Sequence, residues 1–229
     1  MVNNSFYEGI VIMSSHLTLD QLADLRAALS RSLPGLAAQM RMAPQPRPGN
    51  EQIFTPDLNC RRAGVLVLLY PGRDGELSLV LTRRTESVEN HRGQISLPGG
   101  SMEAGENAVA AALREAQEEL AVNPARLELL GELSPLYIPA SGFCIYPVVA
   151  YAWERPAFLP DPREVAEVIE VPLAHLLEPS VCCVEQRQME GREVRVPFYA
   201  VGRHKVWGAT AMVLCELLTL LSQIVEVEP

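Results

Sequence analysis

Apolar positions along this chain switch between helical and strand-like spacing, and the order of the switches predicts an architecture. Leu19, Leu22, Leu25 and Leu29 recur at helical intervals behind Thr18-Leu-Asp-Gln21, which has the form of a capping box. The pattern predicts a helix over 18–33, closed by Pro34-Gly35. Residues 40–58 are rich in proline and polar groups and predict an irregular connection. From Ala63 the character changes: Val65–Tyr70 reads as a buried strand, Pro71–Gly75 as a turn, and Leu77–Thr82 as the partner strand. Helical spacing resumes over Asn107–Leu120, with strands expected near Leu127–Leu133 and Ile145–Ala152. Glu164–Val171 and Val194–Ala200 predict further strands or strand edges. Trp207–Val225 closes as a helix, with Met212, Cys215, Leu218 and Leu221 among its apolar positions. Strands enclosing one central helix and followed by another predict an α/β sandwich. We expect an N-terminal arm over 1–58 and one catalytic-sized domain over 59–229.

Composition narrows the class. A hydrophobic fraction of 48% and a charged fraction of 21% belong to a globular chain with a sizeable core. The net charge of −9 argues against a general nucleic-acid binder, which needs a basic face. It leaves room for an anionic substrate if a divalent cation stands between protein and phosphate. No apolar run approaches the roughly 18 residues of a membrane helix, and no basic residue precedes Arg26, so no secretory signal is expected. Cys60, Cys144, Cys182, Cys183 and Cys215 show no C-x-x-C pair and read as reduced core thiols of a soluble cytoplasmic protein. An interface between two copies, from the N-terminal arm or the apolar C-terminal helix, is compatible with this pattern.

The chemistry concentrates in Pro98-Gly-Gly-Ser-Met-Glu-Ala-Gly-Glu106 and the helix after it. At about 100° per residue, Val109, Leu113, Ala116 and Leu120 form a core face. Glu115 and Glu119 overlie each other on another face, and Glu118 flanks them. Carboxylates so close repel and destabilise a helix. A solvated acidic face is the bland account, but it leaves the glycine loop, Glu106 and Arg114 unexplained. Hard oxygen ligands for Mg²⁺ or Mn²⁺ explain the cluster better.

Read from Gly100, the segment resembles the Nudix box, G-x5-E-x7-R-E-U-x-E-E-x-G-U with U a bulky apolar residue. Gly100, Glu106, Arg114, Glu115, Glu118, Glu119 and Val122 match in register. Ala116 is small for its apolar slot, and Ala121 replaces the glycine after the Glu pair, so Asn123 before Pro124 is expected to make the turn. The resemblance implies a Nudix-type α/β/α sandwich with a mixed sheet, an acidic catalytic helix, and N- and C-terminal helices. It implies metal ligation by Glu115, Glu119, Glu118 and the carbonyl of Gly99, and a structural Arg114–Glu106 pair. The reaction implied is pyrophosphate hydrolysis of a small nucleotide-like substrate by metal-activated water. Some relatives take a general base from a later loop. The matching acidic loop here is Asp161–Glu167, with Glu164 as the candidate base and a solvated loop carboxylate as the competing reading.

Upstream, Leu81, Thr82, Arg84, Gly93 and Pro98-Gly-Gly100 resemble the signature of the coenzyme A pyrophosphatase branch of that family. Tyr137–Phe143 and His204–Thr210 also look like that branch. Glu89 stands where the pattern has Arg, and neighbouring Arg92 is a candidate replacement. Candidate substrate contacts are Arg84, His91, Arg92, Gly93, Gln94, Gly100, Ser141 and Phe143, the arginines as phosphate clamps and Phe143 as an apolar wall. The implied products are 3′,5′-ADP and 4′-phosphopantetheine. ADP-ribose, NADH or another dinucleotide is the alternative substrate class, and a non-catalytic nucleotide sensor is the alternative outside enzymes.

Overall fold

The structure is a computed structural model that describes residues 19–46, 60–73, 75–85, 93–189 and 191–225 of the 229. Two helices, α1 (Leu19–Leu29) and α2 (Gly35–Gln39), precede strands β1 (Arg61–Pro71), β2 (Leu77–Arg84), β3 (Ile95–Ser96) and β4 (Gly99–Ser101). Helix α3 (Ala108–Leu120) follows, then β5 (Leu127–Glu132), β6 (Leu136–Ile138), β7 (Phe143–Ala152) and β8 (Val165–Pro172). The chain ends with α4 (Leu173–Leu177), β9 (Cys182–Met189), β10 (Arg192–Val201), β11 (His204–Trp207) and α5 (Gly208–Val225).

Among the described residues, β1 to β8 form one mixed sheet and β9 to β11 a second, antiparallel one. Strand β1 is the axis of the first. It runs parallel to β7 from Arg61 to Leu69, and pairs antiparallel with β4 at one end and β2 at the other. Such a strand is buried on both faces, which is why its sequence is continuously apolar rather than alternating. Leu66, Leu68 and Tyr70 pack with α3 on one face, while Val67 and Leu69 join α1 and α5 on the other. The sheet with helices on both faces is the expected α/β/α sandwich.

The strands expected near Val65, Leu77, Leu127, Ile145, Glu164 and Val194 are all present, with ends moved by a few residues. Five strands were unforeseen: β3, β4 and β6 are two or three residues long, too short for a period-2 signature to accumulate, while β11 has four residues and β9 has eight. The N-terminal helix is shorter than expected, and Thr18 of its capping box lies outside the described residues, as do 47–58 of the expected irregular connection. Leu22, Leu25 and Leu29 of α1 are buried in the same core as α5.

Three expectations are corrected. The buried face of α3 is Ala108, Ala111, Ala112, Ala116 and Leu120, with Val109 and Leu113 only half-buried. The cause is Gly64: a Cβ there would stand 2.3 Å from the Ala108 carbonyl oxygen, so α3 lies directly on the β1 backbone and only small side chains fit between. The turn after α3 is made by Ala121 itself, left-handed at φ 56, whose N–H donates to the Gln117 carbonyl at 2.9 Å. Asn123 caps the next turn instead, its side chain accepting from the Ala125 N–H at 3.0 Å. Finally, Cys60 and Cys144 are not free thiols but a disulfide, with Cα atoms 5.7 Å apart where β1 lies beside β7. Cys182, Cys183 and Cys215 are free. Cysteine usage therefore no longer argues for a reducing compartment.

Candidate active site

Asn107 starts the acidic helix, its side chain accepting from the Ala110 N–H at 2.8 Å as an N-cap. That start sets the rotation of α3, sending the alanine face to β1 and the glutamates toward β4 and the end of β2. Strand β4 supplies the glycine loop: Gly99 lies beside Val65 and Gly100 beside Gly64. A Cβ on Gly100 would meet Oε1 of Glu115 at 2.3 Å, so the missing side chain is what admits that carboxylate.

Arg114 organises one side of the site. Its Nε and Nη2 donate to the two oxygens of Glu106 at 2.9 and 3.1 Å, a bidentate fork. Nη2 also donates to the Ser101 carbonyl at 3.0 Å, tying the loop to the helix. Nη1 lies 3.0 Å from Glu115 and 3.2 Å from Glu118. The fork holds Glu106 below the usual carboxylate range, while burial raises Glu115 despite Arg114.

Arg84, at the end of β2, organises the other side. Its Nη1 lies 3.4 Å from Glu119 Oε1 and its Nη2 4.0 Å from Glu164 Oε2. The Thr85 N–H donates to the Glu164 carbonyl at 2.9 Å, and the Asp161 N–H to the Glu119 carbonyl at 2.9 Å, so the acidic loop is laced to both elements. Glu119 is 3% exposed, and its Oε2 is buried without a hydrogen-bond partner. Its acidity constant is pushed up to about 8, chiefly by burial, with Glu115 and Glu164 adding to the rise and Arg84 opposing it.

Among the described residues, no three acidic, histidine or cysteine side chains converge as a ligand set; guanidinium groups stand between the carboxylates instead. The donor chemistry still fits a hard divalent cation. One buried carboxylate, Glu119, and one half-buried, Glu115, are held above their ordinary range, and the Oε2 of Glu119 has no hydrogen-bond partner.

The other candidate residues divide. The Arg84 N–H donates to the Gln94 carbonyl at 3.0 Å, and Gly93 forms a left-handed turn just before it, so both border Arg84. Ser141 and Phe143 lie at the start of β7 with Arg61, which donates to the Ser141 carbonyl at 2.6 Å and stacks 4.2 Å over the Phe143 ring. Glu89, His91 and Arg92 lie outside the described residues. Sequence reasoning missed Gly64 and Arg61. An isolated glycine inside an otherwise Val- and Leu-rich strand was the available signal for the first, whereas the second had none.

A family model described as the NUDIX domain matches residues 61–185. The chain is 34% identical to the uncharacterized Nudix hydrolase NudL of Pectobacterium atrosepticum over 189 residues, 80% of this chain and 91% of that protein. It is 32% identical to the chloroplastic Nudix hydrolase 22 of Arabidopsis thaliana over 170 residues, 71% of this chain but only 56% of the plant protein. Among solved structures, the MutT protein of Methanosarcina mazei superposes with a TM-score of 0.46 at 17% identity, over 71% of this chain and 96% of that one. With the family model covering more than half of its length, including the glycine loop, the acidic helix and Glu164, the chain belongs to the Nudix hydrolase family.

Proposed function

We propose that this protein hydrolyses the pyrophosphate bond of coenzyme A or an acyl-coenzyme A, giving 3′,5′-ADP and a 4′-phosphopantetheine. The observation that carries the hydrolytic reading is the buried, unpartnered Oε2 of Glu119, flanked by Glu115 and Glu164. Glu115, Glu118, Glu119 and the Gly99 carbonyl would hold Mg²⁺ or Mn²⁺. When bound, such an ion neutralises the diphosphate and lowers the pKa of a coordinated water.

The chain's own groups do the rest. Glu164 accepts the proton of the attacking water as the new P–O bond forms and the bridging P–O bond breaks. Being half-exposed, it can pass that proton to solvent. Arg84 grips a phosphate oxygen, and Arg114 touches no substrate but keeps Glu115 aimed. Phe143 and Ser141 form a wall for the base or the pantetheine arm. His91, Arg92, Gly93, Gln94 and Gly100 complete the substrate side.

Leu81, Thr82, Arg84, Gly93 and Pro98-Gly-Gly100 favour coenzyme A. Glu89 favours the second reading, a pyrophosphatase for ADP-ribose, NADH or a similar diphosphate, because it reverses the charge expected to meet a phosphate. Product analysis on coenzyme A, acetyl-coenzyme A, dephospho-coenzyme A, ADP-ribose and NADH with Mg²⁺ or Mn²⁺ tests both. We expect 3′,5′-ADP from coenzyme A at the highest rate, and Glu119→Gln to abolish it. Faster cleavage of ADP-ribose or NADH would replace the substrate assignment, and nucleotide binding without turnover of any compound would favour a sensor.

A further inference from the structure

The arginine at the end of β2 has a position that phosphate binding alone does not explain. A residue kept for substrate would be expected to point its fork into the cleft. Arg84 instead spends both terminal nitrogens on carboxylates, Glu119 at 3.4 Å and Glu164 at 4.0 Å. Both contacts are long for charge-assisted hydrogen bonds, which run nearer 2.8 Å. They are loose electrostatic attachments. The backbone behind them is hydrogen-bonded: the Arg84 N–H donates to the Gln94 carbonyl, and β2 pairs with β8 up to Arg84, with a register shift between Arg83 and Arg84. The side chain therefore hangs from a paired strand end with weakly held tips.

Glu119 is incompletely partnered. It is 3% exposed, its Oε2 has no hydrogen-bond partner, and Arg84 reaches only Oε1. Arg84 is the positively charged group within reach of Glu119 among the described contacts, and the same group reaches Glu164. A single positive charge shared between two carboxylates leaves the cluster underneutralised, which is the condition a doubly charged ion relieves.

We propose that Arg84 is the resident counter-ion of the metal site: it occupies Glu119 and Glu164 before the divalent ion binds, and is released by that ion to take the substrate's diphosphate. This rests on the metal-site reading above. Release has two consequences. Arg84 competes with the cation, so it weakens metal binding in the absence of substrate. Freed, it strengthens the binding of a nucleoside diphosphate, so metal and diphosphate bind with positive cooperativity that runs through this side chain.

The test is Mn²⁺ binding followed by the loss of the free-ion electron paramagnetic resonance signal, without substrate and then with ADP as the diphosphate probe. We expect Arg84→Met to bind Mn²⁺ about tenfold more tightly than the unchanged protein, the scale of one lost charge in a partly exposed cluster. Arg84→Lys, which keeps the charge, should stay within about twofold of the unchanged protein, a few tenths of a kcal/mol. Against a blank of Mn²⁺ with ADP alone, ADP should tighten Mn²⁺ binding more in the unchanged protein than in Arg84→Met. If Arg84→Met binds Mn²⁺ no more tightly while Glu119→Gln abolishes binding, the metal site stands and the counter-ion role is wrong. If Glu119→Gln binds Mn²⁺ like the unchanged protein, the metal-site reading falls and this proposal with it. Should Arg84→Met fail to fold, Arg84→Gln supplies the same readout: it too removes the charge, and Mn²⁺ binding should tighten.

Discussion

A Cβ atom on Gly100 would stand 2.3 Å from Oε1 of Glu115, whereas one on Gly64, its partner across the ladder, would stand 2.3 Å from the backbone oxygen of Ala108. The two glycines face each other on adjacent strands but serve different ends. Around Gly100 the obstacle is the tip of a side chain, which can swing. Around Gly64 it is helix backbone, which cannot.

Gly100→Ala and Gly64→Ala should therefore separate function from stability. We expect Gly100→Ala to fold with a stability loss under about 1 kcal/mol, yet to lose about two decades of activity because Glu115 is pushed aside. Gly64→Ala should lose about 3 kcal/mol or fail to fold, since α3 must lift from β1. Urea denaturation beside an activity assay checks both.

Ala121 ends the acidic helix in the left-handed region, where a Cβ is strained by about 1 kcal/mol. Ala121→Gly should stabilise the protein by up to roughly 0.6 kcal/mol, the strain relieved less the added entropy of an unfolded glycine. A urea midpoint that falls on this substitution would contradict the observed turn.

Glu216 sits fully buried in α5, accepting from the backbone N–H groups of Gly35 at 3.0 Å and Ser134 at 3.2 Å and from Gln39 Nε2 at 2.8 Å. It ties the N-terminal arm and the loop after β5 to the C-terminal helix. Glu216→Leu strands those donors and should destabilise by about 2–4 kcal/mol. Faster proteolysis near Gly35 would accompany the loss if the arm is what comes free.

Glu167 is held at about 2, against an ordinary 4.5, first by its hydrogen bond with Arg203 and then by His204 and Arg83. Between those two values the unfolded chain binds a proton that the folded protein does not. Stability therefore rises with pH through this window: the contribution is complete above 4.5 and lost as pH falls toward 2. Glu167→Gln should flatten the acid limb of the stability profile there, read by denaturation at a series of pH values.

Denatured without reductant, the protein should report three reactive thiols, and five after reduction, because Cys60 and Cys144 are bonded and Cys182, Cys183 and Cys215 are free. Five thiols in both conditions would restore the reading made from cysteine spacing alone.

Local pattern carried much of this protein. The continuous apolar run of β1, the helical spacing of α3 and α5, and the register of Gly100, Glu106, Arg114, Glu115, Glu118 and Glu119 are all properties of neighbouring residues. A few residues suffice to display them, so the sandwich, the acidic helix and the family were legible before any coordinate. What eluded the sequence depends on distance in the chain. Arg84 reaches Glu119 across 35 positions and Cys60 reaches Cys144 across 84.

The rotation of α3 shows the division best. Helical periodicity established that one face carries carboxylates, and by angular spacing it placed Val109 and Leu113 with Ala116 and Leu120 on the core face. Gly64, on a strand more than forty positions earlier, decided otherwise: by removing a side chain it drew the helix backbone down onto the sheet, where only alanines fit. That same rotation buried Glu119 and left one of its oxygens without a partner. Sequence alone determined which residues could do chemistry; the close approach of two backbones decided which of them are short of a cation.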